Sequence, residues 1–488
     1  MVITDELLQN FQRCQRRAFL DQYVNISHQD PVSDYVRKLQ HDSLIHQTKV
    51  LSDYPAERPY YPPKDWDAGF DATLNLMKAG AHYIERAVLQ VQYIDPTTSA
   101  PVTLIGRPKL LVRQPGQSIF GNWIYVSTDI KLGKRPKADY QIGAAFHAYL
   151  LAHIQGQWPE SSWLILRYNR EYEVNLADQL PKFEEILVDC ITMVQQQQEP
   201  AVFISRNRCD LCHWFSHCYS IAQKEEHLSL LPGVTPSRYA HLQRLNLTTV
   251  EALAHATSPS LSSLPGFGQQ TAYKLVRQAQ STYYNKALKL ESPAKGLDYP
   301  PLHQWIPTAP VELYFDIESA PEGLIYLHGV VVVDRTTNTT TFHGLMAAEP
   351  EEEEVIWQQF LALTARYPTA PIFHFCPYEV QTVKKLGEMY GTPLSVIDPL
   401  VQRFVDLHDR VVHAATLPIE SYALKAIARW VGFEWRDAQA NGAQSIFWYD
   451  QWLETGDRTY LNHILCYNED DCRATWKVKD WLVEFLQN

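Results

Sequence analysis

Two carboxylates stand one residue apart in Val311-Glu312-Leu313-Tyr314-Phe315-Asp316-Ile317-Glu318-Ser319. The β-branched and aromatic content predicts a strand, and Ala320-Pro321-Glu322-Gly323 predicts its end. Side chains two apart on a strand share a face, so Asp316 and Glu318 converge. Carboxylates that close repel unless a cation separates them. Hard oxygen ligands suit Mg²⁺ or Mn²⁺. An N-cap acid followed by a solvated acid has the same spacing, so this stretch alone leaves both readings open. Far along the chain, Tyr467-Asn468-Glu469-Asp470-Asp471 opens a run of alternating apolar and charged residues that predicts a helix. Tyr467 and Asp471, four apart, share one face of it. Between the two lies His374-Phe375-Cys376-Pro377-Tyr378-Glu379, after a short apolar strand.

A second constellation is made of sulfur. Cys209-Asp210-Leu211-Cys212-His213-Trp214-Phe215-Ser216-His217-Cys218 has ligand spacing, and Cys14 is the candidate fourth thiolate. Buried free thiols are the bland alternative. A metal site is the sharper one, either a [4Fe–4S] cluster or tetrahedral zinc, which His213 and His217 keep open. A third constellation is Asp129 and Lys131, on one face of the predicted strand Tyr125–Leu132. It follows a predicted strand over Ile105–Val112, and an ion pair on a surface strand would look the same.

These residues need elements to hold them. An amphipathic helical pattern covers residues 1–25, and His46 and Gln141 fall on later helical segments. Leu230-Leu231-Pro232-Gly233 and Leu264-Pro265-Gly266-Phe267-Gly268 each precede a helix. Gly-rich turns that expose backbone N–H groups at a helix start favour anions. A plain helical linker is the alternative. Pro293, Pro300, Pro301 and Pro307 predict a semi-rigid linker. Strands near 324–333, 339–345 and 370–375, and an acidic helix start from Glu349, complete a mixed sheet followed by helices. That acidic start reads as solvated and favoured by the helix dipole.

Three resemblances follow from these motifs. The order Asp316-x-Glu318, a middle acid, then Tyr467-x-x-x-Asp471 resembles the DEDD exonucleases of the DnaQ-like, ribonuclease H-like superfamily. The resemblance covers roughly residues 308–488 and implies two bound metals about 4 Å apart. The middle ligand would be Glu379, one methylene longer than the usual Asp, with Asp406 in reserve. Tyr467 would orient the attacking water. The N-terminal part resembles RecB-like nucleases of the PD-(D/E)XK superfamily, in the branch with an iron–sulphur cluster. That implies cluster ligands Cys14, Cys209, Cys212 and Cys218, catalytic Asp129 and Lys131, a histidine at His46 that with Asp129 would hold a divalent ion weakly, and a DNA-facing glutamine at Gln141. It departs at Gly106-Arg107-Pro108-Lys109, where Lys109 takes the place of a metal-binding acid, so the expected N-terminal nuclease is impaired or reduced to DNA binding and cluster support. The paired hairpins resemble a double helix–hairpin–helix module, with Gly233, Gly266, Gly268 and Lys274 facing DNA; Thr235 replaces a glycine in the first. The whole order resembles a bacterial family of RecB-like nucleases with a C-terminal ribonuclease H-like domain.

Length and composition agree with this division. The 488 residues are 45% hydrophobic and 20% charged, an ordinary globular profile with material for several cores. The net charge of −12 argues against indiscriminate nucleic-acid binding but not against local basic grooves. No apolar run approaches a membrane span, and the N-terminus carries acids with no signal-peptide pattern, so a cytoplasmic protein is expected. The expected architecture is multidomain α/β. It comprises a restriction-endonuclease-like domain (1–222), a small helical helix–hairpin–helix domain (228–285), a linker (286–307) and a ribonuclease H-like domain (308–488). The expected activity is a metal-dependent 3′→5′ nuclease on nucleic acid, DNA favoured over RNA and single-stranded ends favoured. The rival is a catalytically decayed DNA-binding adaptor.

Overall fold

The computed structural model describes residues 1–290 and 305–487, so Pro293, Pro300 and Pro301 lie outside the described residues. The chain divides into two compact units, residues 1–221 and 222–488. Among the described residues no helix is long and apolar enough to cross a membrane.

The first unit carries two sheets. β1 (Val2–Thr4), β4 (Pro101–Gly106) and β3 (Leu89–Ile94) form the smaller, in that order. The larger has the order β2 (Tyr83–Glu85), β5 (Leu110–Ser118), β6 (Gly121–Ile130), β7 (Ser162–Leu166), β8 (Arg170–Val174). The single strand expected over Ile105–Val112 is two strands in different sheets. Pro108, which has no N–H to give a ladder, sits in the break. The helix Ala138–Gln155 is buried along most of its length. Its alanines 144, 145, 148 and 152 let other elements approach closely, and Phe146 packs at a tilt against Phe183 in the core. Lys131 lies just beyond β6, its N–H donating to the Ile165 carbonyl at 2.8 Å. The N-terminal pattern is two helices, Asp5–Arg13 and Gln15–Tyr23, parted at Cys14.

The second unit opens with helices Pro236–Arg244, Val250–Ala254, Ser258–Ser262 and Gly268–Tyr283. Part of the expected linker is strand: β9 (Leu288–Lys289) pairs antiparallel with β15 (Ala415–Thr416). The main sheet runs β12 (Thr339–Met346), β11 (Ile325–Asp334), β10 (Val311–Ser319), β13 (Ile372–His374), β14 (Phe404–Asp406). β10–β12 form an antiparallel meander, and β13 and β14 extend it in parallel.

Strand alternation decides which way β10 faces. Leu313, Phe315 and Ile317 pack on one side with Trp357, Phe360 and Leu386. Tyr314 packs on the other with Ile464, Cys472 and Val478 of the long helix Arg458–Gln487. Each large apolar side chain buried this way contributes about 1.5–3 kcal/mol. Glu312, Asp316 and Glu318 have the parity of Tyr314 and turn toward the long helix. The acidic start near Glu349 is not wholly solvated. Glu353 is buried, accepting from the Ile325 N–H and the Tyr390 hydroxyl, both at 2.6 Å. Two acceptor bonds at that depth replace the water it gives up.

Candidate metal centre

Three acids share one face of β10, and their surroundings differ. Glu312 is neutralised: Lys479 Nζ lies 2.7 Å from one oxygen and Arg335 2.6 Å from the other. Asp316 and Glu318 instead meet a third acid, Asp471 of the long helix. One ligand atom from each of the three lies within 4.8 Å of the others. Burial raises Asp316 well above the usual carboxylate range, and Asp471, Glu318 and Glu379 add to it. Burial and Asp471 raise Glu318 to about 8. Burial likewise raises Asp471 to about 6, against the hydrogen bonds from Trp435 and Tyr467. Carboxylates that oppose one another's ionisation in a buried site fit a cation, and an all-oxygen donor set fits Mg²⁺ or Mn²⁺.

Several neighbours fix these carboxylates. Asn468 Nδ2 donates to Asp316 Oδ2 at 2.7 Å. Trp435 Nε1 donates to Asp471 Oδ1 at 2.6 Å. Ser445 hydrogen-bonds Glu318 and lies 2.9 Å from the Tyr326 hydroxyl. Gly329 on β11 makes the Asn468 contact possible, since a Cβ there would lie 1.5 Å from Asn468 Oδ1. The Tyr467 hydroxyl bonds Asp471; burial and the surrounding acids push its pKa far up, so it stays a neutral donor. Lys425 Nζ stands 5.3 Å from the Tyr467 and Trp435 rings and brings a cation toward Asp471. None of Trp435, Ser445, Asn468 or Lys425 was singled out from the sequence. Only Asn468, inside the acidic helical run, carried a local signal. The rest of that run is spent elsewhere, for Asp470 and Glu469 pair with Arg436 at 2.8 and 2.9 Å.

Glu379 is buried near Asp316 but outside the 4.8 Å group. Its Oε2 lies 3.2 Å from His374 Nδ1, which is also 2.7 Å from the Cys376 carbonyl. Facing two acceptors, Nδ1 carries the hydrogen. Cys376 adopts φ +78°, a left-handed backbone that a non-glycine residue rarely takes, and the strain falls beside the middle motif. Asp406 serves as a helix cap, its Oδ1 accepting from the Cys376 and Asp409 N–H groups at 3.0 and 3.2 Å.

Residues 313–483 match the family model RNase_H_2, described as RNase H superfamily. The C-terminal region is ribonuclease H-like. Its matched span contains Asp316, Glu318, Glu379, Tyr467 and Asp471. A ribonuclease H-like fold fits a metal-dependent nuclease and implies nucleic-acid binding. Among solved structures, the chain is similar to one titled "Crystal structure of SSO0001". The identity is 14%, over 45% of this chain and 84% of that one, with a TM-score of 0.24. No curated protein matches.

In the first unit, Asp129 lies 3.8 Å from Lys131 Nζ and 3.4 Å from His147 Nδ1. The imidazole beside Asp129 is thus His147, which the sequence reading passed over, and not His46. His46 is placed by the Ile165 and Leu166 backbone, and burial lowers its pKa. His147 Nε2 lies 3.3 Å from Asp5. Burial opposes charge on His147, but Asp129 and Asp5 override it and raise the ring to about 9. Burial also opposes charge on Asp129, yet Lys131 and His147 hold it below the usual range. Gln141 Nε2 donates to the Pro136 carbonyl at 2.9 Å.

The four cysteines are free and half-buried. Burial raises Cys209, Cys212 and Cys218, the last to about 11, and the Cys14 thiol adds to each. His213 is engaged by Asp21, with Nε2 2.7 Å from Asp21 Oδ1. In the second unit, Arg238 ties the two Pro-Gly turns together, donating to the Gly266 and Gly233 carbonyls at 2.9 and 2.8 Å. Gly233, Gly266 and Gly268 have φ of +90°, +80° and +65°, values that favour glycine. Thr235 caps the helix after the first turn, accepting from the Arg238 N–H at 3.3 Å. Lys274, expected to face DNA, instead reaches the Val412 carbonyl at 3.3 Å.

Proposed function

We propose that this chain is a metal-dependent 3′→5′ exonuclease that acts on single-stranded DNA ends through its C-terminal centre. The supporting observation is the Asp316–Glu318–Asp471 cluster, unneutralised on a strand face whose third acid is paired, inside the region that matches the RNase H superfamily. Two divalent cations would be held by these three acids with Glu379, and when bound they supply a Lewis acid and an activated water. Trp435, Asn468 and Ser445 hold the carboxylates in place. Tyr467, a neutral phenol, orients the water by hydrogen bonding and removes no proton. Lys425 offsets charge that develops near Asp471.

The N-terminal unit is read as a RecB-like scaffold stapled by an iron–sulphur cluster on Cys14, Cys209, Cys212 and Cys218. The gathering beside Cys14 of three thiols, Cys209, Cys212 and Cys218, whose ionisation burial makes costly without a cation supports that reading. The two Pro-Gly turns are read as a helix–hairpin–helix contact to DNA phosphate. The test is incubation of the full chain with 5′-end-labelled single- and double-stranded DNA and RNA in Mg²⁺, Mn²⁺ or EDTA. Stepwise shortening of single-stranded DNA that needs metal and vanishes in Asp316→Ala is expected. Undiminished cutting by that variant would move the chemistry elsewhere. No cutting by the unaltered chain on any substrate would leave the adaptor reading.

A further inference from the structure

The helix Gly268–Tyr283, which follows the second Pro-Gly turn, docks on the segment around β15 through buried polar groups. The ladder with β9 ends at Thr416, so the N–H and C=O of Leu417 need other partners. The Gln278 amide donates to the Leu417 carbonyl at 2.7 Å. The Tyr422 hydroxyl accepts from the Leu417 N–H at 3.0 Å and donates to Gln278 Oε1 at 2.7 Å. Three hydrogen bonds thus close a ring. One residue earlier, the Thr416 hydroxyl donates to the Arg277 carbonyl at 3.2 Å, and the Ser281 hydroxyl donates to the Thr416 carbonyl at 3.1 Å. Gln278, Ser281, Thr416 and Leu417 are all buried. Apolar faces can slide past one another, whereas a buried polar ring is satisfied in one register alone.

The ring has rigid material on both sides. Arg238 bonds the Gly233 and Gly266 carbonyls, so the two turns move as one block. Gln280, two residues after Gln278, donates to the Ala254 carbonyl at 3.1 Å and fixes the neighbouring short helix to the same arm. Toward the metal centre, Lys274 reaches the Val412 carbonyl in the helix Leu407–Ala414. The cap of that helix is Asp406, which accepts from the Cys376 N–H at 3.0 Å, three residues before Glu379. A chain of direct contacts therefore runs from the turns to the middle acid, and its long members are helices of fixed rise.

We propose that the Gln278–Tyr422–Leu417 ring holds the two Pro-Gly turns at a set distance from the Asp316–Glu318–Asp471 centre, which gives the protein a length threshold for its DNA strand. A strand long enough to reach both places is held by its backbone at the turns and by its end at the acids. Gln278 and Tyr422 are positioning residues, and neither touches the DNA. With the arm fixed, engagement of the second place is intramolecular and occurs at high effective concentration; a hinged arm dilutes it. Strands below the threshold engage one place at a time. The inference rests on the exonuclease and hairpin readings proposed above; the docking of the arm does not.

The experiment measures affinity against strand length. The full chain in Mg²⁺ is titrated into a ladder of fluorescein-labelled single-stranded DNAs with phosphorothioate linkages, which resist cutting, and anisotropy is followed. Affinity should step upward at one length. Tyr422→Phe, which removes a single oxygen, and Gln278→Ala should each lower affinity above the step by roughly ten-fold and leave shorter strands unaffected. Gly266→Val, which spoils the turn and spares the ring, should remove the step. Hydrogen exchange at the Leu417 amide should quicken in both ring variants, and circular dichroism should show them folded. The absence of a step in the unaltered chain would overturn the proposal. So would a step that persists in both ring variants, or an equal loss on short and long strands, which marks a purely structural role. A Leu417 amide that stays protected in both would show that the ring does not hold the arm. Failure of the unaltered chain to cut ordinary DNA would count against the exonuclease reading alone, because the affinity step needs no cutting.

Discussion

Two clusters of buried acids stand at strand ends in this chain, with opposite electrical surroundings. At the end of β10, Asp316 and Glu318 meet Asp471, and their ionisation is opposed. Beside β6, Asp129 meets His147, Lys131 and Lys109, and its ionisation is favoured. A carboxylate on a strand is therefore not in itself a metal ligand. Glu312 makes the same point within one strand, since Lys479 and Arg335 neutralise it two residues before Tyr314 and four before Asp316. What marks a candidate metal centre is an acid cluster whose own charges oppose one another.

The largest expected effect separates the clusters by activity. Asp316→Asn should lower metal-dependent hydrolysis by at least about 10²- to 10³-fold, as losing one preorganised electrostatic group in an active site does. Steady-state cleavage of a labelled oligonucleotide measures it, and a loss under ten-fold would break the contrast.

Stability should respond in the reverse sense. Asp129→Asn strands the imidazolium of His147 and the lysines, and should cost roughly 3–5 kcal/mol in chemical denaturation. Asp316→Asn in EDTA relieves repulsion and should be neutral or stabilising. Equal destabilisation by both substitutions would mean that both acids serve structure alike.

The pH dependence sharpens the same point. Glu318 and Asp471 are raised from ordinary values of 4.5 and 3.8 to about 8 and about 6. Between those limits the folded state binds more protons than the unfolded, so stability falls as pH rises. In EDTA the C-terminal transition should melt roughly 5 °C lower at pH 8 than at pH 5. Mn²⁺ should flatten that slope, and a flat profile without metal would show that the acids are already balanced. Smaller still, Gly329→Ala drives a methyl into Asn468 and loosens Asp316. It should weaken Mn²⁺ affinity by about 10- to 100-fold, the usual cost of losing a ligand's supporting bond.

The sequence made local spacing legible and long-range company illegible. Asp316 and Glu318 are two apart on a strand, and Tyr467 and Asp471 four apart on a helix, so each pair's face followed from period alone. The strand limits Val311–Ser319 came with it. Trp435 reaches Asp471 across 36 residues and Asn468 reaches Asp316 across 152, and no periodicity encodes such pairs. His46 and His147 lie on equally helical stretches. Packing against Gly106 decides that His147 meets Asp129. Lys274 followed a good hairpin motif, yet its ammonium is taken by the Val412 carbonyl, because that helix packs on the sheet domain of its own unit. Pro108 carried a readable signal, a missing N–H, that divides β4 from β5.

Direct Mn²⁺ binding to the full chain, followed by calorimetry after exhaustive chelation, weighs the two clusters against each other. The unbalanced cluster should take up Mn²⁺ in the unaltered chain and equally in Asp129→Asn, and uptake should be lost in Asp316→Asn. Binding that survives Asp316→Asn and disappears in Asp129→Asn would place the metal in the first unit and contradict the account.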